Sequence, residues 1–155
     1  MKKVYKAILI FLIISISGCA VPQKPQKASL ELLAIQSREF ETNKKVAFAS
    51  ALSVFQDFGY IVSSADYETG FITAASPKRK TNILSGLIQN AKVTAFIEEI
   101  KKGHTKVRLN FVNVQDKSLQ NFSTVIEEEA EEDPLVYQNA FTKIQEAIFI
   151  RSASE

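Results

Sequence analysis

The clearest pattern in this chain is an apolar stripe over residues 44–58. Its members recur at spacings of three, one, three and three, which place them on one face of an α-helix; they are Phe48, Ala51, Leu52, Phe55 and Phe58. Thr42 or Asn43 supplies the side-chain oxygen that an N-cap needs. Gly59 ends the helix as the residue after the C-cap. The pattern therefore predicts an amphipathic helix with one face on a core.

Alternation of apolar and polar residues predicts a β-hairpin in the middle of the chain. Residues 92–101 form one strand, residues 102–104 a tight turn and residues 105–114 the return strand. On the return strand Val107, Leu109 and Phe111 face one way. Shorter strands are predicted at residues 38–41, 60–64, 71–75 and 121–126.

A second amphipathic helix is predicted near the C-terminus. Asp133 caps it and Pro134 occupies its first position. Its apolar stripe consists of Tyr137, Ala140, Phe141, Ile144 and Ile148. Two such helices on one face of an antiparallel sheet make a two-layer α+β domain, here with about four to five strands in the order β-α-β-β-β-β-α. We expect this single domain to span residues 37–150, with a tail at 151–155.

The N-terminal segment has the three parts of a secretory signal. Lys2, Lys3 and Lys6 supply its positive charge, and residues 7–14 form an apolar run. A transmembrane helix needs about 20 apolar residues, so this run is too short to cross a bilayer. Residues 1–18 are therefore predicted to be a signal peptide. The alternative is an uncleaved anchor or a buried helix.

The segment Ile16-Ser17-Gly18-Cys19 resembles the lipobox of bacterial lipoproteins. In such proteins the cysteine thiol carries diacylglycerol and the preceding peptide bond is cut, so the resemblance implies that Cys19 is a lipidation site. Two or more acyl chains hold a protein stably on a membrane that it does not span. A lone cysteine in an exported protein otherwise indicates an intermolecular disulfide or a reactive thiol. Ala20 in place of an aspartate implies, by the same resemblance, the outer membrane.

Residues 19–36 are predicted to be the lipidated cysteine and an extended tether, because prolines at 22 and 25 disfavour a helix. Within it, residues 30–35 form either a short helix or a strand lead-in, and the residue types do not choose between them. Removal of residues 1–18 takes three of the 19 Lys and Arg and none of the 17 Asp and Glu, which leaves a formal charge of about −1. A chain with this charge has no positive electrostatic field to attract nucleic acid.

Three motifs together resemble a recurring family of small bacterial outer-membrane lipoproteins. They are Ser37-Arg38-Glu39-Phe40-Glu41-Thr42, Phe55-Gln56-Asp57-Phe58-Gly59-Tyr60 and Gly70-Phe71-Ile72-Thr73-Ala74. The topology is also similar to the helix-grip domains of the BamC lipoprotein, an accessory of the outer-membrane β-barrel assembly machine, although this chain is too short for that protein's two domains. Members of the family lack an assigned reaction, so the resemblance implies no catalytic or binding residue.

A basic segment followed by an apolar one is the strongest candidate interaction site. The basic residues Lys78, Arg79 and Lys80 suit a phosphate group. The apolar residues that follow suit a lipid or a partner protein; they are Ile83, Leu84, Leu87 and Ile88. The alternative is an inter-strand loop over residues 78–91, part of it a short helix folded onto the domain.

Other residues with chemical potential favour no active site. His104 is the only histidine, and a predicted hairpin turn is a poor place for a catalytic triad. A zinc site needs three or four ligands, which one histidine beside a lipidated cysteine does not supply. Six acids in residues 127–133 indicate a solvated loop before the last helix, because a calcium loop needs alternating ligands and a glycine. We expect no metal, no cofactor and no enzymatic activity.

These observations predict a non-catalytic protein-interaction or scaffold module, lipid-anchored on the periplasmic face of the outer membrane. Its expected partners are the membrane, through the anchor, and an envelope protein, with no nucleic acid. The alternative is a carrier of a small apolar ligand or lipid, held between helix and sheet.

Overall fold

The structure is a computed structural model that describes residues 29–82, 87–118 and 124–153. Its helices are α1 (Ser29–Ile35), α2 (Lys44–Asp57) and α3 (Pro134–Ser152). Its strands are β1 (Ser37–Phe40), β2 (Ile61–Asp66), β3 (Phe71–Ala75), β4 (Arg79–Asn82), β5 (Leu87–Lys101), β6 (His104–Ser118) and β7 (Thr124–Ala130). The α+β class and the antiparallel sheet are confirmed. The described residues form seven strands and three helices, where the sequence predicted four to five strands and two helices.

The two longest strands, β5 and β6, run through the whole sheet and their neighbours divide it into two halves. In the proximal half the strand order is β1-β6-β5-β3-β2, which uses residues 93–101 of β5 and 104–111 of β6. In the distal half β4 pairs with β5 and β7 pairs with β6. The distal half uses residues 87–92 of β5 and 112–118 of β6.

The core lies between the proximal half and the two long helices. α2 and α3 pack against each other and cover one face of the sheet, called here the inner face. The sheet contributes Phe40, Ile72, Ala74, Val93, Ala95, Ile97, Val107, Leu109 and Phe111. The helices contribute Val46, Ala47, Phe48, Ala51, Val54, Phe55, Tyr137, Ala140, Phe141, Ile144 and Ile148. The opposite face of the sheet is called the outer face.

Both long helices begin as their sequences predict. The side chain of Asn43, one of the two predicted caps of α2, accepts a hydrogen bond of 2.9 Å from the amide of Val46. The side chain of Asp133 accepts one of 2.9 Å from the amide of Leu135 at the start of α3. α2 ends one residue earlier than predicted, and Gly59 follows with a φ of 79°.

Two segments differ from the prediction, and a third adopts one of the two structures that the sequence allowed. Residues 78–91, predicted as a loop, form β4 and the first part of β5 where the structure describes them. Residues 127–130 of the acidic run, predicted as a loop, form the second half of β7, and residues 121–123 of the predicted strand lie outside the described residues. Residues 30–35, left open between helix and strand, are helical. The new strands are held by pairing with distant parts of the chain, which local propensity does not encode.

The turn between β2 and β3 brings the chain against β5 at Gly70. The amide of Gly70 donates to the carbonyl of Asp66 at 2.9 Å, and its own carbonyl accepts from the amide of Ile97 at 2.9 Å. Gly70 has a φ of 80°, which favours glycine, and a Cβ at this position would overlap the carbonyl oxygen of Ile97. Only glycine allows this close approach of two backbone segments.

Candidate functional site

The apolar core ends at one row of the sheet, and a cavity of about 620 Å³ begins at the next. Val93 and Phe111 are cross-strand partners and form the last core row. Two residues further along each strand, on the same inner face, Ala91 faces Asn113, and beyond them Gln89 faces Gln115. These residues line the cavity. The sheet thus continues past the helices as a polar floor.

The cavity is bounded by the two flanking strands and by the end of α2. We call it the polar groove and define it by Tyr60, Arg79, Gln89, Asn113, Gln115 and Glu129. Arg79 lies on β4 opposite Gln89, and Glu129 lies on β7 opposite Asn113. A guanidinium group and a carboxylate therefore occupy opposite sides of a floor of neutral amides.

Tyr60 forms the wall between the core and the polar groove. Its amide donates to the carbonyl of Phe55 at 2.9 Å, and its ring packs against the rings of Phe55 and Phe111, each with a centroid distance of 6.4 Å. Burial raises the pKa of the Tyr60 phenol, and the negative charge of Glu131 raises it further. The phenol is therefore protonated at neutral pH and can donate a hydrogen bond.

Glu131 links β7, α3 and the groove floor. One of its carboxylate oxygens accepts hydrogen bonds from the amides of Glu132 at 3.0 Å and Asp133 at 2.9 Å. The other accepts one of 2.9 Å from the side-chain amide of Asn113. These bonds hold Asn113 in one orientation at the edge of the polar groove.

The buried side chain of Tyr137 holds the main chain of Glu131 in place. The hydroxyl of Tyr137 donates to the carbonyl of Glu131 at 2.9 Å and accepts from the side chain of Gln36 at 3.3 Å and from the amide of Phe111 at 3.5 Å. Tyr137 has no exposed surface, so each of these polar groups is satisfied inside the protein. Sequence reasoning placed Tyr137 correctly in the core but gave no sign of its polar contacts.

The outer face of the distal half carries a second surface. Ile88, Asp116 and Ile126 are cross-strand partners on β5, β6 and β7, and Lys80 of β4 is opposite Ile88. We call these four residues the outer row. Ile126 is 61% exposed. The ammonium group of Lys78 lies 2.9 Å from the carboxylate of Asp116, whose side chain is only 15% exposed.

The structure separates the predicted interaction residues onto two faces. Lys78, Lys80 and Ile88 come together at the outer row, whereas Arg79 lines the polar groove on the inner face. Leu87 begins β5 opposite Asn82. The remaining predicted residues, Ile83, Leu84 and the lipidation site Cys19, lie outside the described residues.

Sequence reasoning missed most of the polar groove. Gln89, Asn113 and Gln115 belong to no chemical motif, and only their equivalent register positions on two paired strands bring them together. Glu129 was assigned to a solvated loop. The one available signal was the loss of apolar residues from the inner-face positions after Val93 and Phe111.

His104 is the first residue of β6 and pairs with Lys101 across the turn. Within residues 29–82, 87–118 and 124–153, no three His, Cys, Asp or Glu side chains are grouped closely enough to hold a metal ion. Of the helices described, none combines the length and the apolar character needed to cross a membrane.

In sequence comparisons, neither a protein-family model nor a curated protein matches this chain.

Proposed function

We propose that this protein is a non-catalytic lipoprotein of the bacterial envelope that holds a protein partner at the outer row. Its anchor would be acyl chains on Cys19, and its domain would face the periplasm from the outer membrane. The proposal for the anchor is supported by the short apolar run before Cys19 and by the lipobox resemblance.

The arrangement of the domain is in keeping with a helix-grip, BamC-like fold. α2 and α3 pack on one face of an antiparallel sheet whose two longest strands form a hairpin. We include this assignment in the proposal, together with membership of the small outer-membrane lipoprotein family that the three motifs resemble.

The observation that carries the proposal is the outer row. Ile88 and Ile126 flank Asp116, and Ile126 leaves most of its side chain in water. Lys80 and Lys78 lie beside this apolar surface, and Lys78 is paired with Asp116. Apolar surface framed by charged groups is typical of protein interfaces, where the apolar part supplies affinity and the charges supply orientation.

The polar groove supports binding rather than chemistry. Its amides and its protonated Tyr60 donate and accept hydrogen bonds without changing charge near neutral pH. The alternative function, transport of an apolar ligand between helix and sheet, draws no support from the described core. The rings of Phe55, Phe111 and Tyr137 fill that space.

Site-specific crosslinking in intact cells tests the outer row. A photo-reactive amino acid replaces Ile126 in the full chain, and the matched control replaces Ile150, an isoleucine of α3 with 68% exposure. We expect a discrete protein adduct from position 126, its loss when Ile88→Asp is added, and no adduct from position 150. Recovery of the uncrosslinked chain alone from position 126 would contradict the proposal.

Membrane fractionation tests the anchor separately. The Cys19→Ser variant lacks the thiol that would carry the acyl chains, so we expect it to leave the membrane fraction and to keep residues 1–18. A serine variant that is still cut before residue 19 and still sediments with membranes would exclude lipidation at this position.

A further inference from the structure

We propose that the polar groove binds a neutral saccharide chain, and that this site is distinct from the protein-binding outer row. The two surfaces lie on opposite faces of the distal half, because Gln89 and Gln115 alternate with Ile88 and Asp116 along β5 and β6. The inference therefore goes beyond the proposed function and does not depend on it.

The main chain of the groove floor is not available to a ligand. The floor belongs to β5 and β6, and these strands are paired with β4, with β7 and with each other. The main-chain donors and acceptors of the floor are used in these ladders or, at Ala91, in hydrogen bonds with Ser76. A ligand in the groove is therefore recognised by side chains, which disfavours an added β-strand of a partner protein.

The side chains of the floor carry the donors and acceptors that sugar hydroxyls need. Gln89 and Gln115 each carry two N–H donors and one carbonyl acceptor, and they are directly opposite one another. A sugar hydroxyl both donates and accepts, so neighbouring hydroxyls on a ring match such a pair of amides. Arg79 adds a planar group of N–H donors at the edge of the groove.

The charges of the groove lie on the two strands that flank its floor. Arg79 is on β4 and Glu129 is on β7, and these strands are about 14 Å apart at the usual strand spacing. Their opposite charges balance, and Glu131 adds a further negative charge near Tyr60. Such a groove provides no net positive field, which disfavours phosphate, nucleotides and other polyanions.

The groove has the size of a small-ligand site, since a volume of about 620 Å³ lies within their range. The ring of Tyr60 forms one wall, against which the C–H face of a sugar can pack, while its hydroxyl supplies a donor. The other apolar residues of the lining, Pro77, Ala91 and Val114, have small side chains and lie among polar ones, which suits a sugar better than a lipid chain.

Titration of the full chain in detergent micelles with a tetramer of N-acetylglucosamine tests the inference. We expect saturable binding with a Kd of about 1 mM or tighter, together with shifts of the NMR signals of residues 89 and 115. Gln115→Ala should weaken binding about tenfold, the effect of one lost hydrogen bond in a partly dry site. The matched control is Gln145→Ala, an exposed glutamine of α3, which should bind as the natural chain does.

Three results would overturn the inference. One is the absence of binding at about 5 mM saccharide, well above the expected Kd. Another is binding that Gln115→Ala and Gln145→Ala weaken equally. A response of the groove to inorganic phosphate, but not to the saccharide, would also contradict it, because it would show a net cationic site. None of these outcomes changes the result expected from the crosslink at Ile126. The saccharide proposal and the partner proposal can therefore be tested independently.

Discussion

The proximal and distal halves of this sheet share the same two strands but differ in what covers them. In the proximal half, the inner-face residues at positions 93–97 of β5 and 105–111 of β6 are fully buried or nearly so beneath α2 and α3. In the distal half the same face presents amides to a cavity, and β7 exposes every side chain from Val125 to Ala130. The change occurs between the Val93–Phe111 row and the Ala91–Asn113 row.

This difference indicates that the proximal half stabilises the fold and that the distal half carries the binding surfaces. Burial of apolar surface contributes about 25 cal/mol per Å², so the proximal half supplies most of the folding free energy. The distal half buries the side chain of Val114 but depends otherwise on backbone pairing and on exposed ion pairs such as Lys92–Glu128, which contribute at most about 1 kcal/mol each. Side chains in the distal half can therefore suit a ligand or partner with little effect on the free energy of unfolding.

The largest expected effect contrasts two isoleucines. Ile97 has no exposed surface, so Ile97→Ala should lower the free energy of unfolding by about 2–5 kcal/mol through lost burial and a cavity. Ile126 is 61% exposed, so Ile126→Ala should change it by no more than about 0.5 kcal/mol. Urea unfolding followed by circular dichroism measures both, and equal losses would contradict the comparison.

The next effect concerns the turn that closes the proximal half. Gly70→Ala places a Cβ against the carbonyl oxygen of Ile97 at a positive φ and should cost about 2–3 kcal/mol. Gly103→Ala, in the hairpin turn, also has a positive φ but meets no atom within 4 Å, so it should cost only about 1 kcal/mol. Denaturation midpoints of the two variants compare them. A Gly103 variant at least as unstable as the Gly70 variant would exclude the steric explanation.

A third prediction concerns the boundary between the halves. Tyr137→Phe keeps the buried ring but removes the hydroxyl that binds Glu131, Gln36 and Phe111. We expect a loss of about 1–3 kcal/mol, because buried polar groups lose their partner. Backbone amide hydrogen exchange should also become faster in the first turn of α3. Unchanged stability would show that these groups find other partners.

The smallest effect is a pH dependence at the groove wall. Burial and the charge of Glu131 raise the pKa of Tyr60 in the folded state, so the unfolded chain loses this proton first as pH rises. The stabilisation is complete below about pH 10, the pKa of an unfolded tyrosine, and is lost as pH rises through the folded value. Tyr60→Phe should make stability fall less steeply above about pH 10. Equal slopes for both proteins in urea unfolding would contradict this cause.

The sequence predicted the proximal half well because burial of one face makes apolar residues recur at regular spacings. Phe48, Ala51 and Phe55 recur with helical spacing, and all three lie in the core. Val107, Leu109 and Phe111 alternate along β6, and all three lie there too. The strand at residues 71–75 was predicted with its observed bounds, since glycine precedes it and apolar residues alternate within it.

The distal half was predicted poorly because its residues lack this regular spacing of apolar positions. Its inner face is not covered by a helix, so Gln89, Asn113 and Gln115 occupy positions that would otherwise be apolar, and the alternation disappears. Glu127, Glu128 and Glu129 are disfavoured in strands, yet they pair with β6 in β7. The candidate site was therefore found only in part: Arg79, Lys78, Lys80 and Ile88 were singled out, but not their division between two faces.

Residue-by-residue amide hydrogen exchange of the full chain tests the separation of folding and binding most directly. Residues 107–111 and 113–117 belong to one strand, β6, and both stretches pair with β5; on the other side β1 pairs with residues 105–108 and β7 with residues 112–118. We predict that the amides of residues 107–111 exchange only through global unfolding, and that those of 113–117 exchange faster through local opening. Equal protection along the whole of β6 would contradict the account, because the distal half would then contribute to the fold as fully as the proximal half.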